Sequence, residues 1–218
     1  MYENILFDLD GTLTDPAEGI TNSVAYALRK FGISVSDKRE LYKFIGPPLV
    51  ESFRDYYGFD EQKSILAVEY YREYFSDIGI FENSVYSGIE DMLSELKANS
   101  KCIILATSKP EIFAKRILNH FGLVKYFDVI AGSTLNTDRN TKSAVIEYAL
   151  EKACVTDKSK VVMVGDRKHD IIGAKDNGLG SVGVLFGYGS IEELTVAGAD
   201  YVIDTVEDLK NFLLKKEI

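Results

Sequence analysis

The chain is poor in the residues that staple or anchor a fold from outside its core. Only two cysteines, Cys102 and Cys154, occur in 218 residues. They lie far apart in apolar patterns and match no metal or redox spacing. No apolar run approaches the ~20 residues that a membrane span needs. Met1-Tyr2-Glu3-Asn4 leads straight into Ile5-Leu6-Phe7 with no basic segment or cleavage site, so no signal peptide is expected, and a cytoplasmic location is. Internal repeats, low-complexity tracts and linker-like composition are missing. Basic residues are also short: 25 Lys and Arg stand against 34 Asp and Glu, a net charge of −9. That balance disfavours nucleic-acid polymers and anionic membranes as partners. A small phosphorylated metabolite needs only a local cation and remains open.

What is present is ordinary for a globular protein: 46% hydrophobic and 27% charged residues. The length fits one large domain, or one domain carrying a smaller insertion. Short apolar runs at Ile5–Phe7, Cys102–Ala106, Asp128–Ile130, Val161–Val164, Ser181–Leu185 and, more weakly, Tyr201–Ile203 read as buried strands. Helical stripes lie between them, among them Ile89/Met92/Leu93/Leu96, Ile112/Phe113/Ile117/Phe121 and Ile171/Ile172/Ala174. This alternation predicts a parallel sheet covered on both faces. Between about Asp15 and Val85 only helical periodicity is found: Ile20/Val24/Ala27/Leu28/Phe31, then Leu41/Phe44/Ile45, Leu49/Val50/Phe53/Tyr57 and Ile65/Leu66/Val68/Tyr71/Phe75. Pro48 is expected in the first turn of its helix. Lys210 to Ile218 reads as a frayed, charged helix end.

Ligands of parallel α/β sheets bind outside the carboxyl ends of the strands. The first strand is followed by Asp8-Leu9-Asp10-Gly11-Thr12, the second by Thr107-Ser108-Lys109-Pro110, and the fourth by Gly165-Asp166-Arg167-Lys168-His169-Asp170. Several carboxylates thus converge on one edge. Two unit charges about 4 Å apart repel by roughly 4 kcal/mol at a near-surface dielectric. A divalent cation with oxygen ligands removes that cost, and Mg²⁺ is usually held by one or two carboxylates plus substrate phosphate. Asp8 and Asp10, at i and i+2, would point the same way in an extended chain, and Gly11 permits a sharp turn after them. An EF-hand loop does not fit, because its Gly and Glu positions fall on Leu13 and Gly19.

These residues carry a resemblance. The chain resembles a haloacid dehalogenase superfamily phosphatase with a helical cap inserted between the first and second motifs. The motifs occur in family order: Asp8-x-Asp10-Gly11-Thr12, Thr107, Lys142, and Gly165-Asp166-x-x-x-Asp170. Gly46-Pro47-Pro48-Leu49 and Gly187-Tyr188-Gly189-Ser190 are similar to the phosphoglycolate phosphatase and 5′-nucleotidase-like branch. The resemblance implies an α/β fold: a doubly wound, Rossmann-like parallel sheet formed by residues 1–14 and 86–218, with an all-helical cap at 15–85. It implies a Mg²⁺-dependent phosphomonoesterase in which Asp8 is the nucleophile and Asp10 the acid and base. Asp8, the Asp10 main-chain carbonyl and Asp166 would bind the metal, with Asp170, Gly11 and Thr12 in support. Thr107 and Lys142 would bind the transferred phosphoryl group, a job that the neighbouring Ser108 and Lys109 could share.

Plainer readings stand beside these. Thr107 also fits a cap for the helix near Pro110, and Asp170 an N-cap. Arg167 and Lys168 fit solvated surface charge, His120 and His169 fit packing or surface roles, and the Tyr56/Tyr57/Tyr70/Tyr71/Tyr74 set fits cap packing. On the same scaffold a phosphomutase, a pyrophosphatase or a non-catalytic phospho-accepting module are the alternatives. The cap is expected to hinge near Leu13–Asp15 and Val85–Gly88. A monomer and a homodimer both remain open.

Overall fold

The computed structural model describes residues 2–135 and 139–215. The first strand is β1 (Asn4–Phe7). A two-residue strand, β2 (Thr14–Asp15), leads into helices α1 (Ala17–Lys30), α2 (Leu49–Tyr57) and α3 (Glu61–Tyr74), and β3 (Ser84–Val85) pairs back with β2. Helices and strands then alternate: α4 (Ile89–Ala98), β4 (Cys102–Pro110), α5 (Glu111–His120), β5 (Val129–Ser133), α6 (Lys142–Lys152), β6 (Val161–Gly165), α7 (Lys168–Asp176), β7 (Gly180–Val184), α8 (Ile191–Ala197), β8 (Tyr201–Ile203) and α9 (Val206–Leu214). The chain divides into two compact units, Met1–Thr14 with Val85–Ile218, and Asp15–Ser84.

The first unit is the α/β fold that the alternation implies. Its six strands lie in the order β5-β4-β1-β6-β7-β8, and every pair within the sheet is parallel. The chain builds outward from β1 through β4 and β5, then restarts at β6 on the other side of β1. Crevices form outside the carboxyl ends of strands where the winding reverses in this way. Phe7 is level with Leu105 of β4 and Val164 of β6, so the residues that follow these three positions emerge together. Leu6, Ile104, Ala131 and Met163 are buried with Val145, Ile146, Ala149 and Ala174, which locks α6 and α7 to the sheet. Each large side chain buried in this way contributes roughly 1.5–3 kcal/mol.

The second unit is helical. On α1, Ile20, Val24, Ala27 and Leu28 turn inward at helical spacing. The Asp60 side chain caps α3 by accepting from the Lys63 N–H at 2.8 Å. Phe44, Phe53 and Phe59 pack ring on ring, with Phe44 and Phe53 centroids 5.1 Å apart and Phe53 and Phe59 6.0 Å apart. Close backbone approach explains Gly19, since a Cβ there would sit 1.9 Å from the Gly79 carbonyl oxygen. The unit carries a concavity of about 370 Å³, lined among others by Glu18, Asn22, Lys38, Arg39, Tyr42 and Glu82.

Several local expectations are corrected. Leu41 and Phe44 are buried, but on a 3₁₀ stretch, Lys38–Phe44, not an α-helix. Pro48 is the residue just before α2, not part of its first turn. Ile65 and Leu66 face outward on α3, whose inward positions are Ser64, Ala67, Val68 and Tyr71. Lys210 to Leu214 is not frayed: α9 runs through it and buries Leu209 and Leu213. Residues 216–218 of the expected tail lie outside the described residues.

Candidate active site

Asp8 is the first residue beyond β1, and its N–H donates to the Val164 carbonyl of β6 at 2.9 Å. The sheet thereby continues by one bond and presents the Asp8 side chain at its edge. After Asp8 the chain turns sharply: the Gly11 N–H donates to the Thr14 carbonyl at 2.7 Å, and those of Leu13 and Thr14 to the Leu9 carbonyl. Gly11 has φ +84°, and a Cβ there would lie 2.2 Å from Asp166 Oδ2. Any larger residue at that position would displace the carboxylate.

Asp8, Asp166 and Asp170 each bring a carboxylate oxygen within 4.8 Å of the others, and all three residues are buried. Lys142, the first residue of α6, reaches into this group. Its Nζ lies 2.7 Å from Asp8 Oδ1, 2.7 Å from Asp170 Oδ1 and 3.1 Å from the Ala106 carbonyl oxygen. Asp170 stands three residues into its helix segment and not at the cap itself. Its Oδ2 accepts from the Arg167 N–H at 3.1 Å, which closes the start of α7. Asp10 lies in the turn that follows β1, within electrostatic reach of Asp8 and Lys142. Its Oδ2 pairs with Lys109 Nζ at 2.6 Å, while its Oδ1 is buried without a hydrogen-bond partner.

The electrostatics arise from burial. Three carboxylates against one ammonium, with every group ionised, leave a formal charge of −2 among buried side chains. Burial raises Asp166 well above the usual carboxylate range, and the neighbouring Asp170 and Asp8 charges add to it. Burial also raises Asp170, to about 6, although Lys142 pulls the other way. Asp10 is raised by burial against the opposing Lys109 charge. For Lys142 burial favours the neutral amine, but Asp170 and Asp8 override it and hold the ammonium. A cluster two negative charges out of balance, built from hard oxygen donors, suits a divalent cation such as Mg²⁺.

Thr107 is buried in the last part of β4, and its hydroxyl accepts from the Lys109 N–H at 3.2 Å, where the register against β5 shifts. Ser108, between them, is half-buried. Thr12 Oγ1 approaches Asp166 Oδ1 at 3.5 Å, a long contact. Of the residues singled out in the sequence, Asp8, Lys142, Asp166 and Asp170 are thus brought together. Asp10 stands beside them on its own partner. Arg167 is not solvated charge: its Nε lies 2.9 Å from Glu193 Oε1, which also accepts from the Lys168 N–H at 2.9 Å. His169 lies on the first turn of α7, where burial and then Lys168 and Arg167 lower its proton affinity.

One contributor carried no chemical signal in the sequence beyond family likeness. The Tyr188 N–H donates to Asp166 Oδ2 at 2.8 Å. A Cβ on Gly187 would meet the Gly11 carbonyl oxygen at 2.2 Å, and one on Gly189 the Asp166 carbonyl oxygen at 1.9 Å. The two glycines let this backbone lie against Asp166. The cue available from sequence was a pair of glycines just past the carboxyl end of a strand.

The chain is similar to several known proteins along most of its length. A solved structure described as a predicted phosphatase from Clostridium acetobutylicum superposes with a TM-score of 0.94 at 51% identity, covering 99% of each chain. A 5′-nucleotidase of Pseudomonas aeruginosa is 46% identical over 88% of this chain and 87% of its own. The tyrosine-protein kinase PtkA of Mycobacterium tuberculosis is 36% identical over 96% of this chain and 72% of its own. The family model for haloacid dehalogenase-like hydrolases matches residues 5–184, from β1 through β7. With the site residues standing at the strand ends inside that span, the chain belongs to the haloacid dehalogenase-like hydrolase family, as a phosphatase.

Proposed function

We propose that the protein is a Mg²⁺-dependent phosphatase of small phosphate monoesters that works through an aspartyl-phosphate on Asp8. One observation carries this reading: a buried cluster of Asp8, Asp166 and Asp170, joined by Lys142 and formally two negative charges out of balance. Bound Mg²⁺ would supply charge neutralisation for the carboxylates and the phosphoryl oxygens, held by Asp8, Asp166 and the Asp10 main chain with Asp170 in support.

The steps belong to this chain's residues. An Asp8 carboxylate oxygen attacks phosphorus while the ester P–O bond breaks, and Asp10 gives its proton to the departing oxygen. Lys142 and Thr107 bind the equatorial oxygens, with Ser108 beside them. Water then attacks phosphorus, Asp10 takes its proton, and the P–O bond to Asp8 breaks to release phosphate. Asp10 is suited to holding a proton between the two steps, because burial raises its proton affinity. Positioning and charge neutralisation supply most of what phosphoryl transfer requires.

The helical unit is proposed to act as a cap that selects the leaving group, in a soluble cytoplasmic enzyme. Among substrates we rank a 5′-nucleotide first, because a 5′-nucleotidase shares 46% identity with this chain, and phosphoglycolate second. The tyrosines give the nucleotide no separate support. Tyr70 packs on Phe31, Tyr71 stacks on Phe75, and Tyr56 and Tyr57 pack on Phe44. The PtkA likeness makes phosphoryl transfer to a protein tyrosine the second reading.

The test is kcat/KM over 5′-nucleotides, phosphoglycolate, pyrophosphate and sugar phosphates, with Mg²⁺ and with EDTA, plus ATP with a tyrosyl peptide. Hydrolysis that needs Mg²⁺ and is lost in Asp8→Asn is expected. Turnover that survives Asp8→Asn would remove the covalent route, and transfer from ATP without ester hydrolysis would favour the second reading.

A further inference from the structure

We infer that Lys109 is a positioning residue for Asp10: it clamps one carboxylate oxygen so that the other faces the ester. The inference rests on the reading of Asp10 as acid and base. Lys109 Nζ lies 2.6 Å from Asp10 Oδ2, and the side chains are only 7% and 14% exposed. The opposite oxygen, Asp10 Oδ1, is buried and unpartnered. A carboxylate held at one oxygen cannot spin freely about its Cβ–Cγ bond. The clamp therefore decides which lone pairs are presented to a reacting group.

The clamp is built into the sheet. Between Thr107 and Pro110 the register of β4 against β5 shifts. Such irregularities re-aim side chains at strand ends. The shifted backbone lies so close to β5 that a Cβ on Gly132 would sit 2.6 Å from the Lys109 carbonyl oxygen and 2.7 Å from Glu111 Cα. The Lys109 N–H is tied to Thr107 Oγ1 at 3.2 Å. Three features thus direct this ammonium: the register shift, the absence of a side chain at Gly132, and the Thr107 hydroxyl. Lys142 already serves Asp8 and Asp170, so the two cations divide the carboxylates between them.

A lysine that binds the phosphoryl group matters for every ester alike. A lysine that orients the proton donor matters only where the leaving oxygen needs the proton. The experiment compares kcat/KM for p-nitrophenyl phosphate, whose leaving anion departs unaided, with propyl phosphate, whose alkoxide does not. The variants are Lys109→Met, Lys109→Arg and Asp10→Asn, and the inhibition constant of inorganic phosphate is measured for each.

Lys109→Met should lose on the order of tenfold to a hundredfold on propyl phosphate and less than about threefold on p-nitrophenyl phosphate. Phosphate inhibition should stay unchanged, and Lys109→Arg should recover most of the loss. Equal losses on both esters, with weakened phosphate inhibition, would overturn the inference. Asp10→Asn separates the two readings. If it too loses equally on both esters, the acid–base assignment has failed. If it discriminates between the esters while Lys109→Met does not, the clamp alone has failed. Should Lys109→Met prove unstable, Lys109→Met with Asp10→Asn removes both charges. A double variant no worse than Asp10→Asn alone supports the clamp, and an additive further loss overturns it.

Discussion

At the scale of single residues, charge balance decides most of the site. Among the described residues, Lys142 is the ammonium shared by two of the three clustered carboxylates. Removing one member of a buried ionic group leaves the others uncompensated and costs about 3–5 kcal/mol. Lys142→Met is therefore expected to lower the melting temperature in EDTA and to regain part of that loss on addition of Mg²⁺, as read by thermal denaturation. A Lys142→Met protein that melts like the parent in EDTA would mean that the carboxylates hold protons instead of charge. Residue identity was the most legible layer in the sequence. Asp8 and Asp166 stand just past the ends of apolar runs, Asp170 follows Asp166 in the same motif, and strand ends in a parallel sheet converge by topology. Lys142 has no such run before it and was legible through the family's motif order. The pairing of Asp10 with Lys109 was not legible. It depends on a turn held by backbone bonds from Gly11, Leu13 and Thr14, which side-chain spacing does not encode.

At the scale of elements, the loop after β7 has the clearest consequence. The Tyr188 N–H engages one oxygen of Asp166, and the flanking glycines admit the loop at distances no Cβ tolerates. Gly187→Ala and Gly189→Ala should each push the loop off Asp166 and weaken Mg²⁺ binding by roughly 10- to 100-fold, the usual effect of losing a partner behind a metal ligand. Titration calorimetry with Mg²⁺ alone would measure this without turnover, and unchanged affinity in both variants would deny the loop that role. Six strands could be read because buried parallel strands are continuous apolar runs. The 3₁₀ character of Lys38–Phe44 could not, since apolar spacing over so short a stretch suits either helix. Ile65 and Leu66 misled for a related reason: their inclusion with Val68, Tyr71 and Phe75 made the stripe too wide, and small buried Ser64 and Ala67 had no hydrophobic signal to compete.

At the scale of the whole molecule, stability should depend on pH and on the cation together. Asp170 titrates at about 6 in the folded chain, above the ~3.9 of an unfolded aspartate, and Asp166 is raised as well. The folded state thus binds more protons in that window. Its advantage is complete below the unfolded value and is lost as pH rises through about 6. On the proposed reading Mg²⁺ would act on the charged carboxylates, so its effect should have the opposite sign. The rise in melting temperature caused by Mg²⁺ should be small near pH 5 and reach a plateau above about pH 7. A rise of the same size at both ends would show that the cation binds elsewhere.

The β2–β3 ribbon brings the departure and return of the chain side by side, at Thr14–Asp15 and Ser84–Val85. To β1 and β4, whatever lies between those two points is an excursion that comes back to where it left. Its contents can lengthen, shorten or be exchanged while Phe7 and Leu105 keep their register. On the proposed reading of that unit as a cap, a lineage could change which alcohol is released without redesigning the machinery that handles phosphorus.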